Sequence, residues 1–78
     1  MPSAHIELTA DEALILFELL SRQLEGGGFL TIEGPGEVAA LSRLHGALQK
    51  VLDAPFAPDY PQRLEAARHR LAREWEGE

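Results

Sequence analysis

Ala13, Leu16, Phe17, Leu20 and Leu24 recur at the three- and four-residue spacing of one helix face, and Leu14, Ile15 and Leu19 widen that face. Only Asp11, Glu18, Arg22 and Glu25 remain as a narrow polar strip, so a helix over about Ala10 to Glu25 is expected to be covered on most sides. Its start is well signalled. Thr9 is placed to accept a hydrogen bond from the amide of Glu12 while Glu12 reaches back to the amide of Thr9, and Asp11 and Glu12 put negative charge at the positive end of the helix dipole. Leu8 and Ala13 stand where a hydrophobic staple forms, and Gly26-Gly27-Gly28 supplies the stop.

A second helical pattern runs from about Glu37 to Asp53, with Val38, Leu41, Leu44 or His45, Leu48 and Leu52 on one face and Ser42, Arg43, Gln49 and Lys50 mostly opposite. Gly46 interrupts it at a cost of about 1 kcal/mol relative to alanine, which close approach of a neighbouring helix would justify. Pro55, Pro58 and Pro61 then forbid a continuing helix, and Phe56 and Tyr60 are expected to fold back as anchors, with Asp59 or Tyr60 capping the next helix. That third helix is expected over about Pro61 to Trp75, presenting Tyr60, Leu64, Ala67, Leu71 and Trp75 inward and Arg63, Arg68, Arg70 and Arg73 outward.

Two short segments lack helical period. Ala4-His5-Ile6-Glu7-Leu8 alternates, as a strand or an extended arm would, and Phe29-Leu30-Thr31-Ile32-Glu33 is rich in β-branched and aromatic residues. Residues 4–8 and 29–33 either pair as a two-stranded ribbon, or 29–33 is a loop that plugs the core. The fold class is therefore mostly α: a small three-helix domain with a short N-terminal extended segment, and one domain over residues 1–78.

Size sharpens the question of the surplus apolar surface. A chain of 78 residues buries roughly 60% of its unfolded surface, and with no cysteine it has no disulfide or thiolate metal site to reinforce the core. No secretory leader or membrane-length apolar run is visible, so a soluble, cytoplasmic protein is expected. The formal net charge of −6 lies wholly in residues 1–39, where Glu7, Asp11, Glu12, Glu18, Glu25, Glu33 and Glu37 face Arg22 alone. That balance argues against nucleic acid as a ligand and suits a basic protein partner, or simply a solvated surface.

Candidate chemistry is sparse. His5, His45 and His69 match no short metal-ligand spacing. Asp11, Glu12 and Glu18 read better as a solvated strip than as paired acid–base carboxylates, and Glu12 already has the capping role. Ser3, Ser21 and Ser42 lie in no nucleophile-elbow context, and Gly26–Gly28 follows a helix without the lysine of a phosphate loop. The arginines of the third helix, near Tyr60 and Trp75, form the one basic concentration, which either touches an acidic partner or RNA or pairs with the chain's own acidic half.

L-T-A-D-E-A-L-I-L-F-E-L-L (Leu8–Leu20), P-F-A-P-D-Y (Pro55–Tyr60) and A-A-R (Ala66–Arg68) together resemble a family of small uncharacterised bacterial proteins, with a weaker likeness over Ala40–Leu52. The resemblance implies a bacterial, cytoplasmic origin and carries over no activity, cofactor or binding residue.

The expectation is a small acidic non-enzymatic protein-binding module without a cofactor or metal. An immunity-protein-like or antitoxin-like inhibitor of a basic partner is one concrete form. Asp11, Leu14, Ile15, Glu18, Leu19, Glu25 and Phe29 are the expected partner-binding residues, with Glu7 and Glu33 adding to the steering charge. The alternative is a homo-oligomeric structural or scaffold protein in which Leu14, Ile15 and Leu19 pack across a twofold axis.

Overall fold

The computed structural model describes residues 3–26 and 30–77. Helix α1 spans Ala10–Leu24, α2 spans Pro35–Val51 and α3 spans Tyr60–Glu76, with a 3-10 turn at Ala54–Phe56. The domain is mostly α, and no strand occurs among the described residues. Residues 4–8 and 30–33 therefore form no ribbon with each other. Phe29 lies outside the described residues.

α1 starts as its sequence dictates. The Glu12 amide donates to Thr9 Oγ1 at 3.1 Å and the Thr9 amide donates to Glu12 Oε1 at 2.8 Å, which satisfies both otherwise orphaned donors. At the other end the amide of Gly26 donates to the Gln23 carbonyl at 3.2 Å, and Gly26 has φ +94°, a conformation only glycine takes cheaply. α2 begins earlier than its pattern suggests because Pro35, lacking an amide proton, suits a first helical turn. Asp59 holds the N-cap position of α3, where its carbonyl accepts from the Arg63 amide at 3.0 Å, but its side chain makes no cap hydrogen bond; the carboxylate instead takes Arg63 Nε at 2.9 Å.

α1 has apolar surface on two sides, and each is covered by a different helix. Ala13, Phe17 and Leu20 pack with Leu48 of α2, joined by Leu16, Leu41 and Leu52. Leu14 packs with Leu64 and Ala67 of α3, joined by Ile15, Ala54 and Tyr60. The breadth of apolar residues on α1 is thus the signature of a central helix between two neighbours. α3 runs opposite to α1, as the pairings Glu18–Tyr60 and Asp11–Arg70 require, and so does α2, with Ser21 at His45 and Ala13 by Leu48 and Val51.

Two expected anchors point outward. Phe56 is 70% exposed because the 3-10 turn that brings Ala54 onto Leu14's cluster rotates residue 56 away from it. Trp75 is 83% exposed, since α3 has already reached the first turn of α1 by Arg70. Tyr60, by contrast, does fold onto the core. Gly46 makes no close approach: a Cβ built there meets nothing within 4 Å.

Candidate functional site

Several residues of the expected partner-binding edge make contacts inside the chain. Leu14 is 6% exposed beneath α3, and Ile15 packs beside it. Asp11 is held by Arg70, whose Nε and Nη2 donate to Oδ2 and Oδ1 at 2.8 Å each. That bidentate bond keeps the Asp11 carboxyl below its usual range. Glu18 accepts from the Tyr60 hydroxyl at 2.8 Å and lies 3.9 Å from Arg22. Burial, with the Glu18 carboxylate added to it, pushes the Tyr60 hydroxyl up to about 12. Leu19 and Glu25 remain exposed, and Ile15 is half-buried.

The arginines of α3 are similarly engaged. Arg63 meets Asp59, Arg68 meets Glu65 and Arg70 meets Asp11, so the apparent basic face is mostly neutralised by the chain's own carboxylates. His69 adds to this, its Nε2 lying 3.1 Å from Glu65.

A serine and a histidine meet where the sequence shows no such pairing. Ser21 Oγ lies 2.7 Å from His45 Nε2 and 3.0 Å from the Phe17 carbonyl oxygen, and the His45 ring stacks on Phe17 with centroids 4.5 Å apart. A hydroxyl carries one proton and a carbonyl can only accept. Both contacts are satisfied when Ser21 donates to Phe17 and His45 donates to Ser21. The imidazole is then a donor to the hydroxyl, the reverse of what nucleophile activation needs. The pair acts as a clasp between α1 and α2. Among the described residues no three His, Asp or Glu side chains come together in a way that could hold a metal ion, and no helix is long and apolar enough to cross a membrane.

Two apolar surfaces remain open: a groove of about 420 Å³ beside α3, lined by Ile15, Leu71, Ala72 and Trp75 among others, and one side of α2. Its inward row is Leu41, His45, Leu48 and Leu52; its outward row is Ala40, Leu44, Ala47 and Val51, all exposed. Both rows have the four-three-four spacing by which helices pack on helices. The outward row lies at the meeting of two shallow grooves that share Leu44. One, of about 420 Å³, is walled by Leu30, Thr31 and Ile32; the other, of about 260 Å³, is walled by Ile6 and Leu8. The Gln23 side chain fixes the first wall, donating from Nε2 to the Leu30 carbonyl at 3.0 Å and accepting from the Leu30 amide at 3.1 Å. Glu37 also lines that groove and accepts from the Glu33 amide at 2.7 Å. The four-three-four row was present in the sequence, but its alanines carry little hydrophobic signal and Leu44 also fits the inward face.

No protein-family model matches the chain, and no curated protein or solved structure matches it significantly.

Proposed function

We propose that this chain is a small acidic, non-enzymatic protein-binding module of the cytoplasm, and that it docks an amphipathic helix of another protein along the outward row of α2. The observation that carries this reading is the unpartnered second helix-packing row, Ala40, Leu44, Ala47 and Val51, on a helix already fixed by its first. Small residues alternating with Leu44 and Val51 let a partner backbone come close.

The net charge of −6 favours, at long range, a partner that is basic as a whole, and inhibition of such a partner by masking is the concrete form we favour. Of the three residues of the alternative homo-oligomer, Leu14 is buried beneath α3, Ile15 is half-buried and Leu19 is exposed.

Capture from native extract by the whole chain, compared with its Leu44→Glu variant, tests the reading. A protein retained by the first and lost by the second, which then shifts the amides of Leu44, Ala47 and Val51 in the labelled chain, is the expected result. Equal retention, or shifts confined to Glu18, Leu19 and Glu25, overturns it.

A further inference from the structure

The outward row of α2 has unlike borders. On one side stand Leu30, Thr31 and Ile32, with Glu37 at the same groove, and Ile6 and Leu8. On the other stand Arg43 and Lys50, seven residues apart, which puts both on one edge of the helix about 10.5 Å from each other. Both are exposed, and among the described residues neither has an ion-pair partner, nor has Arg73, although Arg63, Arg68 and Arg70 all do.

Resting on the docking row proposed above, we infer that its occupant is a helix with carboxylates along the border that meets Arg43 and Lys50, and not a second copy of this chain packed antiparallel on that row. A second copy packed antiparallel on the same row answers those cations poorly: Ala40 meets Val51 and Leu44 meets Ala47, so Arg43 comes beside Lys50 of the other copy and like charges face each other.

This local rule coexists with the net acidity of the chain because the two act at different range. At physiological salt, fields from distant surface charges fade over about 8 Å, whereas groups across a helix–helix border touch. Net charge then selects a partner that is basic as a whole, and the border selects which face of it docks.

Three 21-residue helical peptides test the rule. They share a Leu/Ala apolar row and carry Glu, Gln or Lys at both flanking positions, and each is titrated into the labelled whole chain at about 0.15 M salt. The expected result is that all shift the amides of Leu44, Ala47 and Val51. The Glu peptide should bind about fivefold tighter than the Gln peptide, as two exposed ion pairs allow, and the Lys peptide weaker than either. The double variant Arg43→Glu, Lys50→Glu should invert that order, and Arg43→Gln, Lys50→Gln should level it. A Glu peptide no tighter than the Gln peptide, or an order that the variants leave unchanged, overturns the carboxylate rule while leaving the docking row standing. Absence of shifts at Leu44, Ala47 and Val51 with every peptide overturns both.

Discussion

Arg70 grips Asp11 with two parallel hydrogen bonds of 2.8 Å, tying the second half of α3 to the first turn of α1 across 59 residues of chain. Two other interactions converge on that turn: the capping box of Thr9 and Glu12, and the packing of Leu14 on Leu64 and Ala67. One residue thus serves the helix dipole and the tertiary fold together.

The pair makes stability depend on acidity in a set direction. Because Arg70 holds the Asp11 carboxyl below its ordinary 3.8, the unfolded chain binds the proton more readily than the folded one. The contribution is complete above about pH 4–5, and it falls away as pH drops through the lowered value. Thermal melts between pH 6 and pH 2.5 should show this loss in the wild type. Arg70→Gln should flatten the part due to Asp11 and return its carboxyl resonance to an ordinary titration. An Asp11 midpoint that does not move in Arg70→Gln would count against the bond as the cause.

Tyr60 gives the opposite dependence. Its hydroxyl is pushed up to about 12 by burial and by donation to Glu18, so folding favours the neutral phenol. That stability is complete below pH 10 and is lost as pH rises toward 12. The chain has 1 tyrosine, so absorbance near 295 nm reports it directly. The folded chain should ionise well above a denatured control, and Tyr60→Phe should cost about 1 kcal/mol at neutral pH for the lost hydrogen bond. Coincident titration curves would show that the phenol is not held in this way.

Helices and helix starts were legible in the sequence because they rest on near neighbours: Thr9 with Glu12, Pro35 in a first turn, Gly26 at a stop. Which side of each helix is covered was less so. The surplus of Leu14, Ile15 and Leu19 read as an exposed edge, since periodicity counts apolar residues without saying that α3 returns along α1 and covers Leu14. Trp75 looked like core on spacing alone, yet spacing does not reveal that Arg70 already marks the end of α1. The contacts that define the candidate site join residues far apart in sequence, as Ser21–His45 and Gln23–Leu30 do. No local pattern encodes those meetings.

The Ser21–His45 clasp carries a directional prediction. With Ser21 donating to Phe17, His45 holds its proton on Nε2, and ring nitrogen spectra of the labelled chain should show that tautomer. Ser21→Ala should cost about 1 kcal/mol and weaken the preference, while leaving the ring stacked on Phe17. A proton found mainly on Nδ1 in the neutral ring would mean that Ser21 donates to His45 instead, reopening its use as a base.

Gly46 offers the simplest test of α2 as a helix with a free outer side. A glycine in mid-helix costs about 1 kcal/mol relative to alanine, and such a cost persists where a side chain would collide with a neighbour. Here a Cβ would meet nothing within 4 Å, although His45 and Leu48 beside it face the core. Gly46→Ala should therefore stabilise the isolated chain by about 0.5–1 kcal/mol, partly by restricting the unfolded state, and raise its melting temperature by several degrees. Gly46 also lies outside the row Ala40, Leu44, Ala47 and Val51, so the same variant should bind the Glu-flanked peptide as the wild type does. Destabilisation instead would reveal a close neighbour at that point, and weakened peptide binding would move the docking face toward Gly46.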